Sequence, residues 1–175
     1  MKKRSVLILA AFAFLAFAIP AQAQTTLYVG AGGSFPTGDF GDAFSTGWMG
    51  VGGVTFGMGD SGFGVGGEVF YGQNSAKDEF STAFGDATTS PYGVMAIADY
   101  AFGSEDGLRP YLFGGLGLMV LRISGDNFES DSQSKFGYQF GAGLSLPVGL
   151  FVEGRYMGAE DANYFGALAG WSFDL

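Results

Sequence analysis

Between positions 135 and 146 the chain reads KFGYQFGAGLSL, and every second residue is apolar: Phe136, Tyr138, Phe140, Ala142, Leu144 and Leu146. The residues between them are Gly137, Gln139, Gly141, Gly143 and Ser145. Side chains alternate across a strand with period two, so this stretch has one apolar face and one small or polar face. The last stretch, 164–175, repeats the pattern. Phe165, Ala167, Ala169, Trp171, Phe173 and Leu175 share one face; Tyr164, Gly166, Leu168, Gly170, Ser172 and Asp174 share the other. A chain written this way must build sheet, and it must bury or shelter a continuous aromatic surface.

The start of the chain is different. Lys2, Lys3 and Arg4 precede an apolar run at 6–19 and the small-residue pattern Ala21-Gln22-Ala23. This is the layout of a secretory signal peptide cut after Ala23. The run is too short for a membrane-spanning helix, which needs about 20 residues. Gln24 follows the cut where a lipoprotein would have Cys. The expected division is a removable leader at 1–23 and one domain at 24–175. The leader takes three of the eight basic residues with it, leaving five against 17 acidic ones. So acidic a domain is a poor nucleic-acid binder. There is no Cys and no His, which removes disulfides, thiolate chemistry and the commonest general base.

Eight strands follow from the alternation, at 25–35, 47–57, 63–73, 89–102, 110–123, 135–146, 149–158 and 164–175. The first sets Leu27, Val29, Ala31 and Phe35 against Tyr28, Gly30, Gly32 and Ser34. The third sets Val65, Val69 and Tyr71 against Gly66, Glu68, Phe70 and Gly72, and the fourth sets Tyr92, Val94, Ala96, Ala98 and Tyr100 against Gly93, Met95, Ile97 and Asp99. The seventh opposes Val152 and Tyr156 to Phe151, Glu153 and Arg155. The second is too rich in glycine, and the fifth too apolar on both sides, to be oriented. Connections alternate long and short up to a modest last loop, and 124–134 reads as a long acidic loop.

The side of each strand that is apolar decides the solvent. Charged residues make up 14 % of the chain, against about 25 % in ordinary soluble domains, while aromatics reach 17 % and glycine 32 of 175. The strand charges Glu68, Asp99, Glu153 and Arg155 all lie opposite a largely apolar face. That face would be a large contiguous patch if it met water. Facing lipid, it is what a spanning sheet requires, because only helices and closed sheets pair all their backbone groups internally. The expected fold is all-β: an eight-stranded antiparallel up-and-down transmembrane barrel, with inward Gly and Ser making room for larger groups in a lumen only wide enough for side chains.

The stretches RPYLFGGLGL at 109–118, FGYQFGAGLSLP at 136–147 and LFVEGRY at 150–156, with the leader and the terminal strand, make the chain similar to the small outer-membrane β-barrel family that includes the OmpA transmembrane domain and OmpX. The resemblance covers essentially the whole chain after the leader. It implies a Gram-negative outer-membrane location with both termini periplasmic. It also implies that the barrel assembly machinery reads the last strand, here through Phe165, Trp171, Phe173 and Leu175. That family most often ends in Phe; this chain ends in Leu175. The chain departs from OmpA in having no peptidoglycan-binding domain after the barrel, so that role is not carried over. The resemblance further implies that Glu68, Asp99, Glu153 and Arg155 form an interior salt-bridge cluster, a structural polar core or a gate. By side-chain geometry Arg155 belongs at its centre, since its planar fork can hold two carboxylates, with Arg122 the candidate for a further cation.

Other motifs carry less. Gly62 to Gly67 contains G-x-G-x-x-G, but it leads into a strand and not a helix, against nucleotide binding. Ser132-Gln133-Ser134-Lys135 matches S-x-x-K without the helix or partner motifs that a serine acyl enzyme needs. Acids recur between strands: Asp39 and Asp42; Asp78, Glu79 and Asp86; Asp126, Glu129 and Asp131; Glu160 and Asp161. They read as solvated surface, the alternative being weak Ca²⁺ or Mg²⁺ binding that bridges to lipopolysaccharide phosphates. No cofactor, metal centre or catalytic residue is expected. The leading function is that of a non-enzymatic, monomeric outer-membrane barrel in contact with outer-membrane lipids and lipopolysaccharide, which stabilises the envelope or presents its loops. A narrow porin-like channel is the alternative. A lipid-modifying enzyme comes third, because the Ser–His pair of such enzymes is missing.

Overall fold

Strands that each have an apolar outside must pair all round, and the computed structural model shows how they do so. It describes residues 24–78, 87–103, 107–125, 128–160 and 162–175, those at 60 and 128–131 by backbone alone. The leader expected at 1–23, with Glu79, Asp86, Asp126 and Asp161, lies outside the described residues. The strands are β1 (Thr25–Thr37), β2 (Gly47–Gly57), β3 (Phe63–Ser75), β4 (Ala87–Ala101), β5 (Arg109–Gly125), β6 (Phe128–Ser145), β7 (Leu150–Ala159) and β8 (Ala162–Asp174). Each pairs antiparallel with the next, and β8 returns to β1 from Thr26↔Asp174 to Thr37↔Asn163. The result is a closed eight-stranded up-and-down barrel. No helix among the described residues is long and apolar enough to cross a bilayer; the strands are the spanning elements.

One end of the barrel, here the terminal end, carries Gln24, Leu175, the turns 58–62 and 146–149, and residues 102–103 and 107–108 between β4 and β5. Each of these connections holds a left-handed glycine: Gly62 has φ 73°, Gly103 φ 86° and Gly149 φ 82°, a region that costs side chains other than glycine. The opposite, loop end carries 38–46, 76–78 and Glu160. There the short helix α1 (Asp39–Ala43) folds over the barrel mouth. Phe40 packs on Phe44 at 4.6 Å and on Tyr164 at 5.4 Å between ring centroids. Backbone bonds from Ser45 N to Ser75 O (2.8 Å) and from Lys77 N to Ala43 O (2.9 Å) fasten this loop to the end of β3.

The faces follow the alternation. Phe140 is 56 % exposed on the outside, while its neighbour Gln139 is 3 % exposed in the lumen. The two strands that sequence left unoriented are decided by register with their neighbours. On β2, Met49 and Val51 are buried inside and Trp48 faces out; on β5, Met119 is buried while Leu112, Leu116 and Leu118 are exposed. Arg122 shares the phase of Leu118 and is exposed, so it is not the additional lumen cation that the sequence suggested. The acidic loop expected at 124–134 is mostly strand. β6 begins at Phe128 and pairs with β5 through Ile123↔Asp131 and Gly125↔Phe128, with a register irregularity between Ile123 and Gly125. Strand pairing is made by the backbone, and a polar run does not prevent it where the hairpin rises clear of the barrel wall.

An inward glycine on one strand makes room for a large side chain from another. A Cβ on Gly141 would stand 2.6 Å from the Phe113 ring, and one on Gly137 would stand 2.9 Å from Met95 Cε. Outside, aromatic residues form two belts, as the interfaces of a bilayer favour. Trp48 and Tyr71 (5.5 Å) and Phe35 and Phe165 (6.3 Å) lie toward the loop end. Tyr100 and Phe102 (4.8 Å) and Trp171 and Phe173 (6.4 Å) lie toward the terminal end. Ala142 sits on the outer face between the belts. Ala142→Arg is expected to lower stability in phospholipid vesicles by about 2–4 kcal/mol, the cost of a cation near the midplane. Gly141→Ala, one residue away but inward, is expected to cost about 1–3 kcal/mol through overpacking alone. Urea midpoints check both; an Ala142→Arg barrel as stable as its parent would mean that this face does not meet lipid.

Candidate functional site in the lumen

β7 puts Glu153 and Arg155 two residues apart, hence on one face and both inward. β3 brings Glu68 to the same level from across the lumen. Arg155 is 1 % exposed, Glu68 2 % and Glu153 9 %. The guanidinium takes Glu68 through both terminal nitrogens: Nη1 donates to Oε1 at 2.5 Å and Nη2 to Oε2 at 3.0 Å. Its Nε donates to Glu153 Oε1 at 2.8 Å, and Nη2 donates to the same oxygen. Nη1 also donates to Gln139 Oε1 at 3.2 Å. Arginine has five N–H groups in a fixed fork, and these five bonds use them all. The ring of Phe113 lies 5.1 Å from Cζ, within cation–π range.

The carboxylates are served just as fully. Glu68 also accepts from Tyr28 Oη at 2.9 Å and from Gln139 Nε2 at 3.1 Å. Glu153 also accepts from Tyr111 Oη at 2.9 Å. Buried charges are tolerable only when paired and hydrogen-bonded, and this cluster meets both conditions across β1, β3, β5, β6 and β7. Such a network suits a brace better than a reactive centre, since it leaves no donor of the arginine for a ligand.

Asp99 does not join it. It points into the lumen from β4, but it pairs in register with Gly64, whereas Glu68 pairs with Met95. Those positions are four residues apart, about 13 Å along a strand. Arg109, at the start of β5, lines the same terminal-end cavity as Asp99. Heights counted from strand ends miss this because they ignore the stagger of neighbouring strands. The network residues that sequence reasoning passed over are Tyr28, Tyr111, Phe113 and Gln139. Tyr28 and Gln139 lay on faces already read as inward, beside Gly30 and Gly141. Tyr111 and Phe113 were hidden because strand five could not be oriented.

Above the brace, toward the loop end, Met49, Met95, Met119, Met157 and Tyr164 fill the lumen, none more than 1 % exposed. Next to them Ser34 Oγ donates to Asn74 Oδ1 at 3.1 Å, and Asn74 Nδ2 donates to Ser34 O at 3.1 Å and Ser45 O at 2.9 Å. Below the brace a cavity of about 270 Å³ opens at the terminal end, with Thr26, Asp99, Arg109 and Asp174 on its walls. Of the terminal-strand residues singled out by sequence, Phe165, Trp171, Phe173 and Leu175 all face outward. Among the acids, Asp39 and Asp42 sit in α1, and Glu160 takes Lys135 at 2.6 Å. No group of three potential metal ligands occurs among the described residues.

A search of the curated proteins gave no significant match. Solved structures do match. The chain is similar to Neisserial surface protein A at TM-score 0.66 and 16 % identity, over 86 % of this chain and 97 % of that one. It is similar to Ail, the attachment invasion locus protein of Yersinia pestis, solved in complex with the heparin analogue sucrose octasulfate, at TM-score 0.53 and 19 % identity, over 86 % and 99 %. At such identities the likeness establishes the fold and no activity. The family model for the outer membrane protein beta-barrel domain matches residues 7–173. With the closed sheet, the lipid-facing belt and the filled lumen, that match makes this chain a member of the outer membrane protein β-barrel domain family.

Proposed function

We propose that this barrel is a non-enzymatic wall protein of a Gram-negative outer membrane, closed to solutes and acting through its loop end and outer surface. The observation that carries this is the filled half of the lumen: four buried methionines and Tyr164 stacked on a saturated Arg155 brace. The even strand number puts both termini on one side, and the compact turns beside them suit the periplasm. On this reading residues 1–23 are the removed leader and 24–175 the barrel. Membrane lipids and lipopolysaccharide surround a monomer, and the assembly machinery reads the strand carrying Phe165, Trp171, Phe173 and Leu175. The absence of His and Cys from the sequence argues against a Ser–His or Cys–His enzyme.

A gated channel is the second reading, favoured by the 270 Å³ cavity that reaches the brace from the terminal end. Planar-bilayer recording separates the two. The closed reading expects no stable unitary current from the parent protein across the range of voltage the bilayer tolerates. A steady conductance that scales with salt would replace it with the channel.

A further inference from the structure

The chain contains no Cys, which leaves the thioether sulfur of methionine as its foremost target for mild oxidants. Five of the six methionines lie beyond the leader. Met49 of β2, Met95 of β4, Met119 of β5 and Met157 of β7 belong to one buried cluster with Tyr164, each at most 1 % exposed. Met58, in the turn after β2, is 45 % exposed. That turn is held by backbone and hydroxyl groups: Met58 N donates to Phe63 O at 2.8 Å, and Ser61 Oγ donates to Met58 O at 2.7 Å. The Met58 side chain has no part in those bonds.

The buried sulfurs are closely walled. A Cβ on Gly166 would stand 2.6 Å from Met49 Sδ, and one on Gly117 would stand 2.9 Å from Met95 Sδ. Neither wall leaves room for one more heavy atom. A sulfoxide adds such an atom and makes an apolar group polar. Buried acceptors are costly without donors. Thr89 Oγ1 and Tyr164 Oη are buried hydroxyls without a partner in the same half of the lumen, fewer than the four acceptors that oxidation of the whole layer would add.

We propose that this methionine layer makes closure of the barrel, and not the closed barrel, the oxidant-sensitive state. Before the strands close, all five thioethers meet water, and hydrogen peroxide transfers one oxygen to each. The O–O bond of the peroxide breaks and an S–O bond forms; the sulfur is oxidised and the peroxide is reduced to water. Sulfoxide in the layer then blocks closure. After closure the wall shields the layer, and Met58 takes up oxygen without harm to the fold. The inference rests on the membrane reading above, under which the exported chain crosses an aqueous compartment before it closes in lipid.

The test is peroxide treatment of the chain from 24 to 175, once folded in phospholipid vesicles and once unfolded in urea, with peptide mass mapping. Each sulfoxide adds about 16 Da, one oxygen. The folded barrel should gain it at Met58 alone, and the unfolded chain at all five positions. Moved into vesicles, the oxidised chain should lose the heat-modifiable band of the folded barrel. Treatment with methionine sulfoxide reductases A and B and a dithiol before the transfer should restore the band, since the two enzymes cover both sulfoxide epimers. Met58→Leu should remain as sensitive as the parent. Met49→Leu, Met95→Leu, Met119→Leu and Met157→Leu together should fold and keep the band after peroxide, because Leu and Met are close in volume; if the combined variant does not fold, reductase rescue of the parent chain decides. Layer methionines oxidised in the folded barrel as fast as Met58, an oxidised chain that folds in the parent's yield, or a loss that the reductases do not reverse would each overturn the proposal. A parent chain that fails to enter vesicles without any peroxide would count against the membrane reading instead.

Discussion

Arg155→Ala is expected to destabilise the barrel by about 3–5 kcal/mol, the cost of leaving buried acids without their counter-charge. It should appear as a large drop in the urea midpoint of protein folded into phospholipid vesicles. Glu68 would keep only Tyr28 and Gln139 as donors, and Glu153 only Tyr111. The geometry also sets an order among the acids. Glu68→Gln should cost the most, because Glu68 holds the fork of Arg155 and accepts four bonds. Glu153→Gln should cost less, with three. Asp99→Asn should leave the network untouched, since its register places it nearer the terminal end with Arg109. An Asp99 variant as damaging as the Glu68 variant would show that the brace extends down the lumen. An Arg155→Ala protein with the parent's midpoint would show that there is no brace.

Ending the chain at Gly170 is expected to abolish insertion altogether. The lost segment pairs Trp171, Ser172, Phe173 and Asp174 with Val29, Tyr28, Leu27 and Thr26. It also carries the bonds from Leu175 N to Thr25 O (2.8 Å), from Thr26 Oγ1 to Asp174 Oδ1 (2.6 Å) and from Ser172 N to Gly149 O (2.8 Å). Without it the first stretch of β1, Thr25 to Val29, becomes an open edge in hydrocarbon, and Leu150 of β7 loses its partner; each unpaired peptide group there costs several kcal/mol. The heat-modifiable band of the folded barrel should disappear from membrane fractions, and the chain should be degraded. Trp171→Ala with Phe173→Ala keeps every backbone pair and removes only aromatic surface from the belt. That variant should insert, with lowered stability if the rings act only as an anchor, and should fail to insert if the assembly machinery needs them. Truncated protein inserted at normal levels would mean that closure at this seam is dispensable.

Much of this architecture is legible in single strands. In β1, β3, β4, β6, β7 and β8 a bulky residue faces lipid and a small or polar one faces a narrow lumen, so position in sequence reveals the side. Legibility fails where both solvents accept the same residue. Gly50, Gly52 and Gly53 of β2 suit either face, and β5 offers Leu112 to lipid and Phe113 to the lumen, two apolar groups that sequence cannot rank. It fails again at 128–134, whose serines and acids look like loop although the backbone continues to pair with β5.

The site divides along the same line. The sequence by itself determined that Glu68, Asp99, Glu153 and Arg155 turn away from lipid, because period two is a local property of an extended chain and the transfer of a charge to hydrocarbon is costly wherever it occurs. Only the tertiary structure decided which of them meet. Closing eight strands staggers each against the next, and that stagger brings Glu68 of β3 to Arg155 of β7 while carrying Asp99 of β4 down to Arg109. It also turned Arg122 outward, away from the lumen in which the sequence had placed it. Register is a sum over every hairpin in the ring, so no single strand contains it.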